Sequence, residues 1–135
     1  MGIKTIPSSV DIAISGLRAE ATRMNVTSSN IANSKTTNTP TGDPYRRKVV
    51  QLTTGGDELS GPVIKSIAPD MIKPFPVLHQ PGHPDADKDG NVRMPNVDLP
   101  IEMIDLVTAS RAYQANTAVM KRHGEIMDAA IALLK

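Results

Sequence analysis

Proline divides this chain into three. Nine of its eleven prolines fall between Pro40 and Pro95, leaving only Pro7 and Pro100 outside that stretch. A proline inside a helix removes a backbone donor and clashes with the preceding turn. No long helix therefore fits the middle, whereas the two ends are free of the restriction. Pro7 and Pro100 stand where helices would begin, and proline is tolerated in a first turn. The pattern predicts a helix over about residues 8–33, an extended stretch over about 34–97, and a second helix over about 98–135.

The first helix has a start signal. Ser8 followed three residues later by Asp11 resembles a capping box, with Asp in place of Glu. From there Val10, Ile14, Leu17, Ala21, Met24, Ser28 and Ile31 follow spacings of four and three, the seam of a coiled coil with one polar break. Gly16 lowers helix propensity by about 1 kcal/mol against Ala. Asn30 and Asn33, followed by Ser-Lys-Thr-Thr-Asn-Thr-Pro, predict the end of the helix.

The second helix can be capped by Asp98, with Pro100 in the first turn and Glu102 and Asp105 favouring its positive end. Ile101, Ile104, Thr108, Ala112, Ala115, Val119, Ile126, Ala130 and Leu133 form one stripe. Met103, Val107, Met120, Met127, Ile131 and Leu134 form a neighbouring one. Together they are wider than a two-stranded coiled coil needs. At ~1.5 Å per residue this helix runs on the order of 55 Å, and the first nearer 40 Å. If the two pair, one pairing cannot cover both stripes, and the surplus apolar face needs other copies or other proteins.

The middle reads as strands and turns. Tyr45 to Leu52 and Val63 to Ile67 are strand candidates, connected through Gly55-Gly56 and entered by Gly61-Pro62. Pro74 to Leu78 is extended, because a residue before proline avoids the helical region. Its prolines demote it to an edge strand or to no strand. The expected fold is thus mainly α with a β-rich middle. Residues 1–35 and 98–135 form a terminal helical coiled-coil domain, and 36–97 form an extended, hairpin-like arm.

Composition argues against a catalytic pocket. Tyr45, Phe75 and Tyr113 are the only aromatic residues, there is no Trp, and there is no Cys. Substrate pockets usually have aromatic walls. Without cysteine there can be no disulfide, no thiolate metal site and no Cys nucleophile. A net charge of +1 demands neither nucleic acid nor membrane. No apolar run approaches the ~20 residues of a membrane span. Met1 to Pro7 lacks the apolar core of a secretory signal peptide, so the default reading is cytoplasmic unless a signal-less export route operates.

Asp85, Asp87, Asp89 and Gly90 match the opening of a calcium loop, but its twelfth position is Asn96 rather than a bidentate Glu. The simpler reading is a polar turn in which the Asp side chains cap backbone amides. His79 and His83 are four apart, a zinc spacing on a helix, yet Pro81 and Pro84 exclude a regular helix there. His123 reads as a surface or interface histidine. Tyr45-Arg46-Arg47-Lys48 is the one basic cluster, and without a second patch or an aromatic platform it is a poor phosphate site. No nucleophile elbow, P-loop or dinucleotide glycine pattern is present.

Two helical segments carry small residues and amides where a surface helix would use Glu and Lys: Ser28-Ser29-Asn30-Ile31-Ala32-Asn33 and Ala109-Ser110-Arg111-Ala112-Tyr113-Gln114-Ala115-Asn116. Small residues allow close helix approach, and buried amides can fix register. The first segment, with Ser15-Gly16-Leu17 and Arg23-Met24 before it, resembles the N-terminal signature of flagellar rod and hook proteins. The second resembles their C-terminal signature. Pro81 to Asp87, Gly90 and Met94-Pro95-Asn96-Val97 resemble the proximal-rod members. Residues 1–10 and Thr36 to Thr41 depart from the pattern.

The resemblance implies a non-enzymatic subunit of the basal-body rod without a cofactor. Its terminal helices would pair in an inner layer around the export channel, and its arm would lie against neighbours. The partners it implies are other copies, other flagellar rod proteins and the flagellar type III export apparatus, with no nucleic acid and no membrane insertion. It places the chain in the periplasmic rod, exported without a cleaved signal. The assembly candidates are Leu17, Met24, Asn30, Ile31, Ala32, Asn33, Ile104, Arg111, Tyr113, Gln114 and Asn116, with Gln114 and Asn116 expected to set helix register. A calcium-binding interaction module built on Asp85, Asp87 and Asp89 is the second reading. An enzyme using His79 and His83 is the third.

Overall fold

The computed structural model describes residues 8–55 and 60–134. Helix α1 spans Ser9–Ala32 and helix α2 spans Leu99–Ala132, with four short strands between them: β1 (Lys48–Thr54), β2 (Pro62–Pro69), β3 (Val77–His79) and β4 (Asn91–Arg93). Pro7, expected at the entrance of the first helix, and the Gly56 half of the expected turn lie outside the described residues.

Local chemistry explains the helix ends. Ser8 and Asp11 close a reciprocal capping box: the Ser8 hydroxyl accepts from the Asp11 amide, and Asp11 accepts from the Ser8 amide at 3.0 Å. Asn33 caps the other end of α1, its side chain donating to the Ser29 carbonyl at 2.9 Å. Asn30 does not end the helix as expected. It lies in the last turn, and its side chain is directed at other segments. Asp98 caps α2 by accepting from the Ile101 amide, and Pro100 occupies the first turn.

The helices run antiparallel. Asn30, near the end of α1, bonds Glu102, near the start of α2. Gly16, two heptads back along α1, lies against Asn116, two heptads forward along α2. The seam between them differs from the one expected. The buried residues of α1 are Ala13, Gly16, Ala19, Thr27 and Asn30, and those of α2 are Glu102 and Ala109. Val10, Ile14, Leu17, Ala21, Met24 and Ile31 are only half-buried, and Ser28 is exposed. The reason is distance: Gly and Ala let two backbones approach more closely than branched side chains allow. A further part of α1 is claimed by the β1–β2 hairpin, where Ile14, Ser15 and Ala19 line a groove with Pro62, Val63 and Ile64.

β1 and β2 pair antiparallel from Lys48 with Pro69 to Thr54 with Pro62, with a register shift between Gln51 and Leu52. β1 starts three residues later than expected, because backbone donors ahead of it are bonded elsewhere: the Tyr45 amide to the Thr36 carbonyl and the Arg47 amide to the Asn96 side chain. Burial in β2 alternates, with Ile64, Ser66 and Ala68 on the more covered face. β3 and β4 form a second antiparallel pair of three residues each. β3 begins only after Pro76, once the chain regains its amide donors. The expected single arm is therefore two small hairpins. Among the described residues, only β1 and β2 of the four pack on α1, and none of the strands packs on α2.

Candidate functional site

The middle of the molecule is held by a buried polar joint rather than an apolar core. The fully buried side chains of largest volume are Glu102, Val92, Asn30 and Asn96. Three of these four are polar, so each requires partners.

Asn30 joins α1 to the entrance of β1. Its oxygen accepts from the Lys48 amide at 2.9 Å and the Tyr45 hydroxyl at 3.0 Å. Its nitrogen donates to the Lys48 carbonyl at 2.9 Å and to Glu102 Oε2 at 3.1 Å. Glu102 accepts a charge-assisted bond on its other oxygen from Arg47 Nε, and Arg47 reaches Asp105 at 3.5 Å. Asn96 closes the joint from below. Its oxygen accepts from the Arg47 amide at 2.7 Å, and its nitrogen donates to the carbonyls of Lys73 at 3.0 Å and Asp70 at 3.2 Å. Asp70 accepts from the amides of Ile72 and Lys73. The Lys73 bond, then the Ile72 bond, holds its carboxyl below the usual range.

The basic cluster is absorbed here. Arg47 is ion-paired with Glu102 and Asp105. Arg46 stacks over Phe75 at 4.1 Å and donates to the Asp70 carbonyl at 3.0 Å. Arg93 approaches the same ring at 5.0 Å and pairs with Asp43.

The acidic turn is tied up by protein donors. The Asp87 carboxylate accepts from the amides of Asp89 at 2.9 Å and Asn91 at 2.8 Å, capping the turn into β4. Asp85 accepts from the Thr37 hydroxyl at 2.5 Å. His83 accepts from the Asp85 amide at 3.1 Å, and His79 lies 3.3 Å from the Asn91 side chain. Among the described residues, no group of three or more His, Cys, Asp or Glu is placed to hold a metal ion.

The assembly candidates fall into three groups. Asn30 belongs to the buried joint. Asn33 caps α1, and Leu17, Met24, Ile31 and Asn116 are half-buried along the helices. Ala32, Ile104, Arg111, Tyr113 and Gln114 face solvent. Among the described residues, the side-chain amides of Gln114 and Asn116 make no hydrogen bond within the chain. Ile104 belongs to a long apolar surface on α2 and just past its end: Ile101, Met103, Val107, Val119, Ile126, Met127 and Ile131, then Leu133 and Leu134, are all exposed. Two contributors to the joint were not visible as such in the sequence. Glu102 resembled a helix-end charge and Arg47 part of a surface patch, and their pairing joins positions 55 residues apart.

Comparison with known proteins supplies the family. Residues 11–38 match the family described as flagella basal body rod protein. Residues 88–133 match the one described as flagellar basal body rod FlgEFG protein C-terminal. The two matches cover most of α1 and all of α2, and they define a structural subunit of the flagellar basal-body rod. The relatives narrow this further. The chain is 42% identical to flagellar basal-body rod protein FlgC of Yersinia enterocolitica, over 87% of this chain and 89% of that one. It is 41% identical to FlgC of Agrobacterium fabrum, over 92% and 91%, and 35% identical to FlgC of Borreliella burgdorferi, over 95% and 97%. The chain belongs to the FlgC family of flagellar basal-body rod proteins.

Proposed function

We propose that the chain builds a torque-transmitting shaft by burying the exposed apolar side of α2 against other copies and other rod proteins. One observation carries this reading. Ile101, Ile104, Ile126 and Ile131 are each at least half exposed, at 50%, 66%, 59% and 52%. Burying one such side chain is worth roughly 1.5–3 kcal/mol, so a face this long stabilises an assembly. The helix pair would then continue as a coiled coil between subunits, forming an inner layer around the export channel. The two hairpins would form an arm against neighbours. Residues 1–35 and 98–135 act as the assembling domain and 36–97 as the arm.

In this reading the chain performs no catalysis. It works in the periplasmic part of the basal body, which it reaches through the flagellar type III export apparatus without a cleaved signal. No described helix is long and apolar enough to cross a membrane. Arg111, Tyr113 and Gln114, exposed on α2 beside the apolar stripe, would choose the neighbour and its register.

The test is analytical ultracentrifugation with circular dichroism across a concentration series, on the parent chain and an Ile104→Ser/Val107→Ser variant. Self-association of the parent, or association with added rod proteins, that the variant loses while keeping its helicity supports the proposal. A parent chain that stays monomeric and ignores rod proteins overturns it.

A further inference from the structure

We propose that Glu102 is the positioning residue that fixes the register of α2 on α1. This goes beyond the rod reading and rests on the helix pair alone.

The seam offers little register information of its own. Outside the joint and the hairpin groove, the buried residues of the two helices are Ala13, Gly16, Thr27 and Ala109, none of them a large side chain. Knobs that fix sliding in a coiled coil are larger than a methyl group. Among the large apolar residues of α2 only Leu106 and Met120 are half-buried; the rest recur every three or four positions and are exposed, so they favour no single offset.

Polar contacts supply what the seam lacks. Among the described residues, α2 reaches the rest of the chain by side-chain polar bonds at only two positions. Glu102 bonds Asn30 and Arg47, and Asp105 pairs with Arg47 at 3.5 Å. Glu102 is 1% exposed, whereas Asp105 is 39% exposed. A slip of one turn would leave the Glu102 carboxylate buried without its two donors, a costly state that rules out the slipped arrangement.

The receiving side of the joint does not depend on α2. Asn30 stays anchored by Lys48 and Tyr45, and Arg47 stays anchored through its amide on Asn96. The socket is therefore built by α1 and the arm, and α2 inserts one charge into it. A buried polar group that selects one register is the best-attested role for such a residue in paired helices.

The chain lacks cysteine, so two labels can be placed without further substitution. Arg18→Cys on α1 and Lys121→Cys on α2 are both exposed and outside the joint. Nitroxide labels there report the offset of the helices by pulsed electron–electron spin resonance. Glu102→Gln keeps the volume but leaves one acceptor oxygen where two donors wait; Glu102→Ala removes both. The expected result is one narrow distance in the parent chain and, in both variants, a broadened distribution or one displaced by about 5–10 Å, the length of one turn to two. Helicity by circular dichroism is expected to stay within a tenth of the parent value. A narrow, unmoved distance in both variants overturns the proposal. So does a broad distance in the parent, or loss of helicity in both variants, because Glu102 would then be supporting the fold rather than the register.

Discussion

Gly16 turns its bare backbone to the side-chain amide of Asn116: a Cβ at position 16 would lie 2.7 Å from Asn116 Nδ2. The apparent weakness of a glycine inside α1 is thus the means by which the helices come close at this end. Gly16→Ala gains about 1 kcal/mol in helix propensity and displaces the amide. The Gly16→Ala/Asn116→Ala double variant should therefore melt above either single variant. Gly16→Leu should cost about 1–3 kcal/mol by overpacking. Thermal unfolding by circular dichroism measures all four, and a Gly16→Leu protein as stable as the parent would mean that the helices do not meet here.

Gly61 is the tighter case. A Cβ there would lie 1.9 Å from Ser15 Oγ, 3.1 Å from the Ile12 carbonyl oxygen and 3.2 Å from Ile12 Cα. The backbone of α1 cannot step aside as a side chain can. Gly61→Ala is expected to destabilise by about 1–3 kcal/mol and to speed hydrogen exchange in β2. The pair Gly61→Ala/Ser15→Ala should recover only part of the loss.

Asn96 serves three backbone groups from two segments. Asn96→Ala strands the Arg47 amide and the Lys73 and Asp70 carbonyls. Its expected cost is about 2 kcal/mol or more, seen as a lower urea midpoint. Asn96→Asp keeps the acceptor for Arg47 but loses both donors, so it should fall below the parent as well.

Acid should loosen the start of α1. The Ser8 hydroxyl, then the Ser8 amide, holds the Asp11 carboxyl below the usual range. A depressed carboxylate stabilises the fold above its unfolded pKa, and that contribution is lost as pH falls through the folded value. Titration of Asp11 followed by NMR should show the depression in the parent and a return toward the ordinary range in Ser8→Ala. Equal titration in the two proteins would mean that the capping box is open in solution.

Gln114 and Tyr113 face solvent on α2, where an assembly contact has to lie. Gln114→Leu and Tyr113→Ala should leave helicity unchanged while reducing swarm diameter several-fold in a strain carrying only the variant. Full motility in both would remove these residues from the interface.

The terminal helices were legible because their signals are local. Ser8 with Asp11, and Asp98 with Pro100, act across three residues or fewer, and the proline distribution alone confined helices to the ends. The stripes of α2 were legible as a surplus apolar face for the same reason, since periodicity is a property of one helix. β4 was not legible: Asn91–Arg93 is three residues long and exists only because β3 lies beside it.

The choice between seams was beyond the sequence. Val10, Leu17 and Met24 form the stronger apolar pattern, yet Ala13 and Gly16 are the residues buried, Gly16 against Asn116 of α2. Periodicity records which residues could be covered, whereas covering depends on how close the partner comes and on what else competes for the helix. The polar joint followed the same logic. The sequence by itself determined two capped helices around a proline-rich middle. Only the tertiary structure decided that Glu102, Arg47, Asn30 and Asn96 would meet, because a buried charge acquires its role from donors that folding brings from distant parts of the chain.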